Sequence, residues 1–230
     1  MAHREFKSRL YAQFARIGAA LASERRLELL DLLAQAPRNV EALAQETEMS
    51  VANASQHLQV LKQARLVESE RDGTRVLYRL ADSSVLDLWL ALRAAGEARL
   101  AEVGELAREQ ELEPGGAHTI TREQLETMEQ KGDVLLVDVR PAAEYEHGHL
   151  PGALSLPLAA LEERLPELPI DRPIVAYCRG SYCLFAIEAV SLLRERGFEA
   201  YRLDDGWLEW WATRRSASAD VGSTGWPSAR

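Results

Sequence analysis

Cys178 and Cys183 are the only cysteines in the 230 residues, and both fall within Cys178-Arg179-Gly180-Ser181-Tyr182-Cys183. The apolar run Pro173-Ile174-Val175-Ala176-Tyr177 leads into this stretch, and a helical pattern follows it. A short β-type run, then a thiol, then a glycine-bearing turn into a helix suits a reactive sulfur. Turn amides and the positive helix end can face one anion there and favour the thiolate. Two cysteines in a reducing compartment point to redox or catalytic work rather than to structural staples. A second set of chemistry-bearing residues lies in the first half. Ser50, Asn53, Ser55, Gln56, His57, Gln59 and Lys62 share one helical segment, and Arg71 and Arg75 flank a nearby Asp-Gly turn. Short hydrogen-bonding side chains on one helix are what base edges and phosphates require.

The elements that position this second set read as helices followed by a hairpin. Phe6, Leu10, Phe14, Ile17 and Leu21 form a stripe at helical spacing over 5–21. Ser23 is the expected N-cap of a second helix, which Pro37 ends. Asn39 is expected to cap a short helix to about Glu46, and Ser50 to open a fourth to about Ala64. Leu66-Val67-Glu68-Ser69-Glu70 and Thr74-Arg75-Val76-Leu77-Tyr78-Arg79-Leu80 alternate about Asp72-Gly73, a strong hairpin signal. A long helical stretch over 83–111 follows. Helix, turn, helix and hairpin together make a winged helix-turn-helix, with the 50–64 helix entering the major groove and the hairpin tip touching backbone.

The block from Ser55 to Val67, with Arg71-Asp72-Gly73-Thr74-Arg75-Val76-Leu77-Tyr78-Arg79-Leu80, closely resembles the ArsR/SmtB family of bacterial repressors over about residues 10–100. That resemblance implies operator double-stranded DNA as partner and a homodimer held by helices 5–21 and 83–111. It also implies release from DNA by an inducer. Many members sense metal through thiols in the third helix or Asp/His pairs in the last. The segment Val40-Glu41-Ala42-Leu43-Ala44-Gln45-Glu46 has no cysteine, and 83–111 has neither His nor Cys. No metal site is expected in either helix, so the inducer is expected to act elsewhere.

Pro114-Gly115-Gly116 is the sharpest break in the chain. The expected organisation is a DNA-binding and dimerisation domain at 1–112, a linker at 113–116, an α/β domain at 117–213 and a flexible tail at 214–230. Strand-like runs at 134–137, 153–156 and 174–177 alternate with helical patterns near 121–130, 158–165, 182–196 and 205–213. Alternation of this kind predicts a small parallel sheet covered on both faces. Four motifs then occur in order: Leu136-Val137-Asp138-Val139-Arg140, Glu144-Tyr145-Glu146-His147-Gly148-His149-Leu150-Pro151-Gly152-Ala153, the cysteine loop, and Asp205-Gly206-Trp207. Together they resemble a rhodanese, a sulfurtransferase domain, over about 117–212.

The resemblance implies that Cys178 takes sulfane sulfur from a donor as a persulfide and passes it to a thiol acceptor, with no cofactor. Gly180, Ser181 and Tyr182 belong to the loop that binds the sulfur. Arg179 adds charge beside it, and Arg140 is expected at the site rim. Asp138, His147 and His149 are read as structural. Related phosphatases and arsenate reductases use Cys-x5-Arg, but Leu184 holds that arginine's position. Cys183 has two readings, a small buried residue at a helix start and a second thiol that attacks the Cys178 persulfide. A bridge between them would disturb Arg179 and Tyr182 and give the loop two states.

The net charge of −9 argues against indiscriminate nucleic-acid binding, while Lys62, Arg65, Arg71, Arg75 and Arg79 leave a local basic strip for a specific site. No apolar run approaches the roughly 20 residues of a membrane span, and the first residues lack a signal-peptide core, so a cytoplasmic location is expected. Three readings stand. The first is a repressor whose operator binding responds to sulfur or oxidation at the loop. The second is a working thiosulfate-type sulfurtransferase with DNA binding under another control. The third, opposed by the missing ligands, is an arsenic or metal-stress regulator.

Overall fold

The structure, a computed structural model, describes residues 2–112, 118–132 and 134–218. The chain forms two compact units, Met1–Arg93 and Ala94–Arg230. The expected linker and 219–230 of the expected tail lie outside the described residues, whereas 214–218, expected in the tail, continue the last helix, Trp207–Ser218.

The first unit begins with α1 (Ala2–Leu21), α2 (Glu24–Gln35), β1 (Arg38–Asn39), α3 (Val40–Glu46) and α4 (Val51–Gln63). The wing is β2 (Val67–Asp72) and β3 (Arg75–Leu80), and α5 (Ser83–Arg99) follows. Asn39 caps α3 by accepting the Ala42 amide, and Ser50 caps α4 by accepting that of Asn53, satisfying helix-end N–H groups. Ser23 stands at the N-cap of α2, but its side chain makes no capping bond. Its carbonyl takes the amides of Arg26 and Leu27. The wing register pairs Asp72 with Arg75, so the tight turn is Gly73-Thr74, with Gly73 at φ 60°, a left-handed conformation that glycine adopts without penalty. β1 adds a third, antiparallel strand against β3. Leu29, Leu30, Leu33, Leu43, Leu58, Leu61 and Leu86 lie fully buried between these elements.

The expected single helix over 83–111 is two: α5 stops at Arg99 and α6 (Ala101–Glu111) restarts after Leu100. Gly96 and Gly104 flank the break, one helical turn to each side, where the chain has the least intrinsic preference for helix.

The second unit continues with β4 (Thr119–Ile120), α7 (Arg122–Gln130), β5 (Leu135–Asp138), α8 (Ala142–His147), β6 (Leu154–Ser155) and α9 (Leu158–Arg164). It ends with β7 (Ile174–Tyr177), α10 (Leu184–Glu195), β8 (Ala200–Leu203) and α11 (Trp207–Ser218). The sheet order is β4-β8-β7-β5-β6, and every pairing is parallel. Val137, Leu161, Ile174, Ala176, Val190 and Leu193 fill its core. All four residues of β7 are buried, as a central parallel strand covered on both faces requires. β5 runs on to β6 on one side of it, and the chain then returns to β7 on the other. Such a reversal opens a crevice at the carboxyl ends of the strands, where α/β folds place their sites.

Candidate functional site

Cys178 follows the last residue of β7 and Cys183 is the N-cap residue of α10, so the loop sits at the carboxyl edge of the sheet. The two sulfurs are bonded in a disulfide, with Cα atoms 6.2 Å apart, within the ordinary span for such a bond. Cys178 is buried and Cys183 half-buried. The Cys183 amide donates to the Gly180 carbonyl at 3.1 Å, so that amide does not face the sulfur as the sequence led one to expect.

The stretch after β8 clamps the loop from outside. The Trp207 amide donates to the Cys178 carbonyl (3.3 Å) and the Ser181 hydroxyl to the Asp204 carbonyl (2.9 Å). Arg202 on β8 donates through Nη1 to the Ser181 carbonyl (2.9 Å). Gly206 lies so close to Gly180 that a Cβ there would fall 2.3 Å from the Gly180 nitrogen. Glu209 accepts the Gly206 amide at 3.1 Å and brings its carboxylate beside Gly180. The Tyr182 hydroxyl donates to Glu97 of α5 at 2.9 Å.

Arg179 stands beside Cys178 as expected, but its guanidinium is held by Glu144. Nη2 meets Oε1 at 2.6 Å and Nε meets both carboxylate oxygens at 3.1 Å. Glu144 is fully buried on α8, and a buried carboxylate demands a paired, hydrogen-bonded cation. Arg179 thereby also fastens the loop to α8 and packs over the Phe185 ring. Arg140, expected at the rim, is instead fully buried. Its guanidinium grips Asp138 at 2.6 Å and the Gly148 carbonyl at 2.6 Å. Burial opposes its charge, yet the hydrogen bond and charge of Asp138 outweigh that and raise its pKa. The Tyr177 hydroxyl donates to Asp138 (2.6 Å) and accepts the Leu150 amide (3.0 Å). Burial first, then the Asp138 charge, pushes this phenol far above its usual range. Burial, with Arg140 adding to it, holds His147 below its ordinary pKa. The His149 ring stacks on Tyr145 at 3.8 Å. Asp138, Arg140 and Tyr177 are thus joined in one buried network at the carboxyl ends of β5 and β7.

In the first unit, Ala54, Leu58 and Leu61 anchor α4 in the core. Ser50, Asn53, Gln56 and Gln59 are exposed, whereas Ser55 and His57 are half-buried. Lys62 is exposed but donates to the Ser69 hydroxyl of β2 at 2.6 Å. Arg71 and Arg75 stand exposed on either side of the wing tip. The helix and wing thus present polar and basic groups to solvent as a groove-reading pair does. The sequence pointed to neither Glu144 as a partner for Arg179 nor Arg202 as a clamp.

Residues 121–213 match the rhodanese-like domain family, and residues 23–69 match the arsR family of bacterial regulatory proteins. Over 81 residues, 35% of this chain and 75% of the other, there is 35% identity to thiosulfate sulfurtransferase GlpE of Pseudoalteromonas translucida. A solution structure from Mycobacterium bovis is 47% identical over 41% of this chain and 87% of its own, with a TM-score of 0.40. It is described as the homodimeric winged helix-turn-helix DNA-binding domain of a possible ArsR-family transcriptional regulator. HTH-type transcriptional regulator Rv0324 of Mycobacterium tuberculosis is 49% identical over 204 residues, 89% of each chain. With that degree of likeness across both units, this chain belongs to the ArsR-type helix-turn-helix transcriptional regulators that carry a rhodanese-like domain.

Proposed function

We propose that the protein is a sulfur-responsive regulator that takes sulfane sulfur on Cys178, resolves it with Cys183, and changes its operator affinity as the loop switches. The observation that carries this reading is the bond between the two sulfurs within a single clamped loop. The Cys178 thiolate attacks the outer sulfur of thiosulfate, a new S–S bond forms, and sulfite leaves with the electron pair. The Cys183 thiolate then attacks the Cys178 sulfur and expels the outer sulfur, which takes up a proton and leaves as hydrosulfide, so the disulfide remains. Only the Cys178 and Cys183 thiols are available in this chain for both roles. The exposed Phe6, Leu10, Tyr11 and Phe14 on α1, with Leu88 and Leu92 on α5, support a homodimer through these helices.

Titrating reduced protein onto operator DNA with and without thiosulfate or polysulfide tests the reading. Sulfur is expected to weaken the wild-type complex at least about tenfold, a coupling of ordinary allosteric size. Cys178→Ser is expected to bind DNA as well as reduced wild type and to ignore the donor. Equal binding by both proteins under all conditions would sink the sensor. Cys183→Ser is expected to keep the persulfide, a gain of about 32 Da in intact mass, and to form no internal bridge. A second reading, turnover as a sulfurtransferase, is favoured by the likeness to GlpE. Steady thiocyanate production from thiosulfate and cyanide without change in operator affinity would select it.

On the DNA side, Gln56→Ala is expected to weaken specific binding by about 1–3 kcal/mol, the size of one good base contact, and to leave sulfur loading intact. His57→Ala should cost less, because that side chain is half-buried. Unchanged operator affinity in both variants would move the reading surface off α4.

A further inference from the structure

Arg202 is a buried arginine in the middle of a parallel strand, with a side chain only 5% exposed. Nη1 donates to the Ser181 carbonyl at 2.9 Å and Nε to the Thr119 hydroxyl at 3.2 Å. The Asp204 carboxylate stands 3.8 Å from Nη2 and is itself 60% exposed. Solvent therefore screens that carboxylate more than it screens the guanidinium. Arg179 of the loop is itself paired with fully buried Glu144.

The direction of the Arg202 hydrogen bond matters. In a trans peptide the carbonyl and the following N–H point opposite ways, so fixing the Ser181 carbonyl on Arg202 turns the Tyr182 N–H away from Arg202. A cationic donor on that carbonyl also polarises the peptide and strengthens its N–H as a donor. The Cys178 and Gly180 carbonyls are taken by the Trp207 and Cys183 amides. Three loop carbonyls that would otherwise repel an anion are thus tied off, and one of them is tied by a charge.

We propose that Arg202 is a positioning residue for the cysteine loop, which orients the Ser181–Tyr182 peptide and through it stabilises the Cys178 thiolate and persulfide anions. The proposal deepens the sulfur-accepting reading, and its test does not depend on any sulfur donor. In the full-length chain carrying Cys183→Ser, Cys178 is the only thiol, and its alkylation by iodoacetamide is followed against pH. Arg202→Met is expected to move the midpoint of the rate profile up by about one unit and to slow alkylation near neutrality about tenfold, the effect of losing the cation that fixes and polarises the Ser181–Tyr182 peptide. Arg202→Gln keeps a donor for the Ser181 carbonyl without the charge and is expected to shift the same way. It also serves should Arg202→Met fail to fold. Arg202→Lys is expected to retain a midpoint near that of the parent. A role in folding alone would loosen the loop and change the rate at every pH with no shift of midpoint. That result in the Met or Gln variant would overturn the proposal. A shifted midpoint in a protein that accepts no sulfur from any donor would leave Arg202 in its role and remove the sulfur-accepting function instead.

Discussion

Asp138→Asn is expected to destabilise the second unit by about 3–5 kcal/mol, the cost of leaving a buried charge without its counter-charge. Arg140 is fully enclosed, and Asp138 meets it through both carboxylate oxygens while also accepting the Tyr177 hydroxyl and the Arg140 amide. Asparagine has nearly the same shape, so the loss reports on charge rather than on a cavity. Asp138→Ala should cost at least as much. Trp207 supplies the readout, since the Arg140 guanidinium lies 5.8 Å from its ring centroid and the indole is buried. Urea unfolding followed by tryptophan fluorescence should show an earlier transition for the second unit. The transition of the first unit, followed by operator binding, should stay in place. Replacing both partners, Asp138→Leu with Arg140→Met, is expected to recover much of the loss, because two apolar groups leave no charge behind. A change below about 1 kcal/mol in Asp138→Asn would mean that the Gly148 carbonyl and other neighbours suffice for Arg140.

The residues legible in the sequence share a property: their signal is local. Asn39 and Ser50 were identifiable as caps from their own position before an apolar stripe, and both make the capping bond. The wing announced itself through Asp72-Gly73 between alternating strands, although the turn itself is centred one residue later. The cysteine loop was visible as a thiol between a strand and a helix. What stayed hidden depends on distant partners. Glu144 and Arg179 are separated by 35 positions and meet only because α8 and β7 deliver them to one crevice. β4 is two residues long and has no pattern of its own; it exists because β8 offers it an edge. β8 was missed for a more informative reason. Ala200-Tyr201-Arg202-Leu203 breaks the apolar run expected of a buried parallel strand. A charged residue at such a position violates the pattern that specifies a fold, and violations of this kind gather at working sites. Arg202 was therefore readable as an anomaly once the strand was known, and not before. The break at Leu100 belongs to the same class, with two glycines as its only sequence signal.

Gly206→Ala is expected to be among the most damaging single-methyl changes in the second unit. Its Cβ would stand 2.3 Å from the Gly180 nitrogen, 2.4 Å from the Arg179 carbonyl carbon and 2.5 Å from the Gly180 Cα. All three are backbone atoms of the cysteine loop, so no side chain can swing aside to make room. The loop or the start of α11 must move by about an ångström, and overpacking of this kind costs about 1–3 kcal/mol. The functional loss should exceed the stability loss, because the same shift breaks the line from the Trp207 amide to the Cys178 carbonyl. A displacement of that size at a reacting group costs up to about a hundredfold in rate. Sulfur loading of Cys178, read by intact mass against time, should therefore slow at least about tenfold, while operator binding by the reduced protein stays unchanged. Gly180→Ala gives the contrast. Its Cβ would meet the Glu209 carboxylate at 2.8 Å, the far end of a flexible side chain that can turn away, so the loop should hold its shape. Equal loading rates for Gly206→Ala and wild type would show that the loop tolerates the displacement, and the clamp from β8 and α11 would then have no part in holding the sulfur.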